Sequence, residues 1–106
     1  MDARDRERAS QALALKLAGV DWQTIATKLG YPDVADAVLA AGEIADEQYD
    51  GPPLDPERML EALRYDRLQA ALWGPAMKGD LAAVDRVLTI ADRRQRIKRL
   101  HRRSDE

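Results

Sequence analysis

Apolar positions along this chain recur every three or four residues, and no segment alternates apolar with polar, so the pattern predicts helices and argues against a sheet. Ala9, Leu13 and Leu17 repeat at four-residue spacing with Ala12 beside them, which predicts a first helix from about Arg4 to Ala18. Gly19 suits the left-handed cap that ends it. A short second helix follows, with Asp21 at the N-cap, Trp22, Ile25, Ala26 and Leu29 on one face, and Gly30 closing it before Tyr31. Pro32 and Asp33 open a third helix, whose face is Val34, Ala37, Val38, Ala41, Ile44 and Ala45 and whose end falls near Gln48. Leu15 and Leu39 lie off these stripes and are candidates for a second interface.

Asp50-Gly51-Pro52-Pro53 breaks the periodicity, because two prolines forbid helix and Gly51 permits a turn. Asp55-Pro56-Glu57 then reads as N-cap, first-turn proline and first-turn carboxylate of a helix carrying Met59, Leu60, Leu63, Leu68, Ala71 and Leu72. That helix is expected to stop or kink around Trp73-Gly74-Pro75. Gly79 and Asp80 punctuate again, and a last helix carries Leu81, Val84, Val87, Leu88, Ile90 and Ala91 before turning very basic. Two long helices with so short a connection are expected to lie antiparallel. The organisation is therefore all-α: a three-helix unit over 1–48, a Pro/Gly linker at 49–54, a helical hairpin over 55–103 with a basic end, and a tail at 104–106.

With 106 residues, many Ala and Leu and no Phe, each unit has only a modest core, so partner chains are expected to supply part of the buried surface. The absence of Cys excludes a disulfide framework and thiolate chemistry, which fits an intracellular protein. Met1 to Arg8 is too charged for a secretory signal, and no apolar run approaches the ~18 residues of a membrane helix, so no membrane partner is expected.

Charge changes the picture more than composition does. Residues 1–29 hold five basic and four acidic side chains, residues 30–63 hold one and nine, and residues 64–106 hold eleven and six. The middle repels a polyanion and the last third attracts one.

The second and third helices have the spacing of a helix-turn-helix: a small Ala26 where helices approach, Leu29 at the junction, Gly30 at the turn. An ordinary Ala-rich helical packing uses the same devices. Direct reading of bases wants Arg, Lys, Asn or Gln on the leading turns of the second helix of such a motif, and here those turns offer Asp33, Ala35 and Asp36. DNA contacts are instead expected from an N-terminal arm with Arg4, Arg6 and Arg8, and from Lys16, Gln23 and Lys28, chiefly through phosphates that position without specifying sequence. A solvated helix start, partly neutralised by Asp2, Asp5 and Glu7, explains the arm equally well. A second basic surface comprises Arg93, Arg94, Arg96, Lys98, Arg99, Arg102 and Arg103. Cations at a helix C-terminus and an Asp92 to Arg96 pair account for part of that run; its density also suits nucleic acid, an acidic protein, or the acidic middle of a neighbouring copy.

Catalytic chemistry finds no constellation. His101 is the only histidine, so neither a histidine base pair nor a histidine metal cluster can form. Gly74 and Gly79 have phosphate-loop spacing, but Asp80 stands where the lysine belongs and no strand precedes them. Asp46, Glu47 and Asp50 read as a solvated helix end, and Asp21, Asp33, Asp55 and Asp80 as caps. No enzyme, cofactor or metal is expected.

The string Leu17 to Tyr31 resembles the N-terminal domain of small terminase subunits of tailed bacteriophages. Tyr65 to Asp80, followed by Val84-Asp85-Arg86-Val87-Leu88 and the Asp92-Arg93-Arg94 region, is similar to the helical hairpin that follows in actinophage members. Both blocks in this order cover most of the chain. The resemblance implies a viral DNA packaging factor without catalysis, in the host cell cytoplasm. Helix-turn-helix units would surround a homo-oligomeric ring that recognises double-stranded viral DNA and presents it to the large terminase subunit, which holds the ATPase and nuclease. Leu60, Leu63, Leu68, Leu72, Trp73, Val84, Leu88 and Ile90 are expected to build the hairpin and its subunit contacts. Family members commonly place Lys or Arg near the positions held here by Leu39 and Gly42. A dimeric helix-turn-helix transcription regulator and a structural oligomeric adaptor without DNA contact are the alternatives.

Overall fold

The computed structural model describes the backbone of residues 1–105 and the side chains of residues 1–97. It contains five helices and, among the described residues, no strand. They divide into two compact units, Met1–Gly51 and a second that starts at Pro52.

In the first unit, α1 (Ala3–Leu17), α2 (Trp22–Leu29) and α3 (Val34–Gln48) all pack on one another. Each begins on an aspartate that accepts a bond from the backbone N–H three residues on: Asp2 from Asp5 at 2.8 Å, Asp21 from Thr24 at 2.9 Å, and Asp33 from Asp36 at 2.8 Å. These caps satisfy donors that the first helical turn leaves without partners. At the end of α1 the N–H of Gly19 (φ 99°) donates to the Lys16 carbonyl and that of Val20 to the Leu15 carbonyl, the two-bond closure that a left-handed glycine permits. Gly30 (φ 77°) turns the chain from α2 toward α3, with Tyr31 N–H on the Ala26 carbonyl at 2.9 Å.

The core of this unit is Ala9, Ala12, Leu13 and Leu17 from α1, Ile25 and Ala26 from α2, and Ala37, Ala41, Ile44 and Ala45 from α3. Six alanines among ten residues let the backbones approach closely, so only Leu13, Ile25 and Ile44 are large side chains fully removed from water. Val38, expected on the buried face, is 39% exposed because Ala37 and Ala41 carry the centre of the contact and Val38 falls at its edge.

The second unit consists of α4 (Pro56–Met77) packed on α5 (Leu81–Asp105). Asp55 caps α4, accepting from Arg58 N–H at 2.9 Å with Pro56 in the first turn, where its missing N–H costs nothing. Asp80 accepts from Ala83 N–H at 3.2 Å at the start of α5. The helix expected to stop or kink around Trp73-Gly74-Pro75 does not stop there: it continues through them to Met77. Pro75 removes the bond to the Ala71 carbonyl and crowds it, but that last turn is exposed on most sides, where the freed carbonyl is open to solvent. Lys78, Gly79 and Asp80 then close the end by donating to the carbonyls of Gly74, Pro75 and Ala76.

Asp66 meets Arg94, and the residues before it approach Ile97, so the two helices run in opposite directions. Leu54, Ala62, Leu63, Ala83 and Ile90 are the buried residues between them. Among the hydrophobics expected to serve the hairpin and its subunit contacts, Leu63 and Ile90 are thus enclosed within the unit, Leu60, Leu72 and Val84 are half-buried, and Leu68, Trp73 and Leu88 are exposed. No described helix is long and apolar enough to cross a membrane.

Candidate nucleic-acid interface

Because α1 starts at Ala3, Arg4, Arg6 and Arg8 sit on its first turns and form no extended arm. Arg6 grips the Glu47 carboxylate near the end of α3 with both terminal nitrogens, Nη1 on Oε1 at 3.0 Å and Nη2 on Oε2. The hydrogen bond from Arg6 holds the Glu47 carboxyl below the usual carboxylate range, and the same bond raises the Arg6 guanidinium further. Arg8 lies over the Tyr31 ring at 4.3 Å, donates to the Gly30 carbonyl at 3.4 Å and approaches Asp5 at 3.6 Å. It therefore braces the α2–α3 turn from the side of α1.

Lys16 stands 5.1 Å from the Trp22 ring centre, and Gln23 donates to Thr27 Oγ1 at 3.3 Å. The Asp21 carboxyl is lowered, first by the Thr24 backbone N–H it accepts and second by the Thr24 hydroxyl. Of the six residues expected to meet DNA from this unit, Arg4 and Lys28 alone are exposed cations with no partner among the described residues.

The solvent side of α3 is Asp36, Leu39, Glu43 and Asp46, spaced three, four and three residues apart. Leu39 is 67% exposed. It joins Met1, Asp5, Arg8, Tyr31, Pro32, Asp36, Ala40 and Glu43 around a shallow depression of about 380 Å³. Three carboxylates and an apolar floor suit a cationic or apolar partner and repel phosphate.

In the second unit Arg94 is not part of an outward basic surface. It is turned onto α4, its Nε 2.7 Å from Asp66 Oδ1 and its Nη2 3.4 Å from Oδ2. Arg96 pairs with Asp92 at 3.2 Å and stays exposed, as does Arg93. The side chains of Lys98, Arg99, Arg102 and Arg103 lie outside the described residues. A groove of about 260 Å³ runs between the helices, with Tyr65, Leu68, Leu72 and Ile90 along it and Arg86, Thr89 and Arg93 at its edge. Arg86 gave no signal in the charge pattern, because a single arginine in a mixed helix stands out only once the apolar groove it borders is known.

No cluster of three or more metal-ligating side chains occurs among the described residues. No protein-family model, no curated protein and no solved structure matches this chain.

Proposed function

We propose that this chain is a non-catalytic DNA packaging factor of the small terminase kind. In this reading α1–α3 form a helix-turn-helix unit and α4–α5 an oligomerisation hairpin, copies assemble into a ring, and the ring presents viral duplex DNA to the large, ATP-hydrolysing subunit. The observation that carries it is the apolar surface left open on the second unit: Leu68, Trp73, Met77, Leu81 and Leu88 are all exposed on a pair of helices with few buried side chains of its own. So much uncovered apolar surface on so small a core is stabilised by neighbouring copies.

Multivalency supports the DNA part of the reading. Several weak phosphate contacts on one ring, with Arg4 and Lys28 foremost, raise avidity without any strong single site. The acidic solvent face of α3 favours a second reading, an oligomeric adaptor that never touches DNA. Absolute mass in solution, by light scattering or sedimentation, tests the ring: a mass of many subunits is expected, and a dimer or monomer would sink it. Titration of duplex binding against salt separates the packaging factor, whose affinity falls steeply with salt, from the adaptor, which shows no binding at any salt.

A further inference from the structure

The solvent face of α3 and the groove of the second unit are matched in spacing and opposite in charge. Asp36 and Glu43 stand seven residues apart, two helical turns, with the exposed Leu39 between them. Arg86 and Arg93 also stand seven residues apart on α5, with Thr89 between them and the apolar side chains of Leu68, Leu72 and Ile90 alongside. Each pair therefore spans about 10 Å of helix axis. None of these four charged side chains has an ion-pair partner among the described residues, although Arg6, Arg8, Arg58, Arg64, Arg94 and Arg96 all do.

We propose that α3 of one copy docks in the α4–α5 groove of a second copy. Leu39 lies on Leu68 and Leu72, while the Asp36 and Glu43 carboxylates meet the Arg86 and Arg93 guanidinium groups at the groove edge. Burial of Leu39 against an apolar floor supplies the attraction, and the two charge pairs fix position and exclude a slipped register. The contact joins two different surfaces, so it is heterologous, and repetition from copy to copy closes a ring or extends a filament. It also gives the acidic face of α3 a function as a protein-docking helix, in the place where a DNA reader would be basic. The inference rests on the self-association in the functional reading and is independent of the DNA contacts.

The chain has no cysteine, which makes thiol cross-linking clean. Full-length A40C and T89C proteins, which keep Leu39 and all four charged side chains, are mixed and oxidised, and each is also oxidised alone as a measure of random collision; Ala40 lines the depression beside Leu39 and Thr89 is exposed. The mixed product is expected to form well ahead of either homodimer. Adding D36R and E43R to the A40C protein is expected to slow the link about tenfold or more. Placing R86E and R93E in the T89C partner restores it, with helix content by circular dichroism unchanged in every variant.

A mixed link no faster than collision, or indifferent to charge reversal, overturns the proposal. So does an R86E/R93E variant that loses duplex DNA affinity while the link stays at the collision rate, because the arginines then face phosphate. A wild-type mass of many subunits without the link refutes this contact and leaves the ring standing; a monomeric mass refutes the ring itself.

Discussion

Arg6 and Glu47 tie the first turns of α1 to the last turn of α3 across 41 residues of sequence, the guanidinium holding both carboxylate oxygens. Both side chains are about half exposed, so the pair acts less by brute energy than by fixing where the end of α3 lies.

Its pH signature follows from direction alone. The folded Glu47 carboxyl is held below its unfolded value of about 4.3, so the stabilisation is fully present above that value and is lost as pH falls through the depressed folded value. Asp21 shifts the same way because Thr24 donates to it. Urea midpoints measured from neutral to acid pH should fall less steeply in E47Q and in D21N than in the parent, and least steeply when both are combined. An unchanged acid limb in both variants would refute the assignment.

Leu13 is fully buried among small alanines, which leaves the surroundings little means of filling a void. Leu13→Ala should therefore cost about 2–5 kcal/mol. Each unit holds one tryptophan, Trp22 in the first and the exposed Trp73 in the second. In a W73F background the remaining fluorescence follows Trp22 alone, and its unfolding midpoint should drop sharply. A midpoint unmoved by L13A would mean that the core is not centred where the packing puts it.

The local parts of this fold were legible. Asp21, Asp33, Asp55 and Asp80 each cap a helix as their positions predict, because a cap is a contact over three residues. Of the stop or kink expected around Pro75, the stop does not occur, because only two helical residues follow the proline and few helical bonds depend on continuing past it. Long-range side-chain choices were not legible. Nothing in the spacing of Arg6, Arg8 and Arg94 distinguishes cations held by Glu47, Tyr31 and Asp66 from cations open to a polyanion. The run of charge counted them alike, and only packing separates them.

The Tyr31 hydroxyl is buried without a hydrogen-bond partner among the described residues, while its ring stacks under Arg8. Removing the oxygen relieves a desolvated polar group and keeps the ring. Tyr31→Phe should accordingly stabilise the first unit by about 1 kcal/mol, read by urea unfolding. A loss of stability of that size would instead reveal a water or side chain satisfying the hydroxyl.

Lys28 gives the sharpest test of DNA contact, because it is exposed at the end of α2 and no described residue holds it. A lysine on phosphate contributes affinity that is uniform across sequences and reduced by salt, since binding releases a counterion. Lys28→Glu should weaken duplex binding for every sequence tested and lower the slope of log affinity against log salt by about one for each phosphate no longer neutralised. Arg8→Gln should behave differently: its guanidinium braces Tyr31 and Gly30, so its removal registers first in thermal stability and less in the salt slope. If K28E leaves both affinity and slope at parental values while R8Q lowers the slope, then phosphate is met from the face of α1 that Arg8 occupies. If neither variant changes binding, the cations of this unit are structural and the adaptor reading gains.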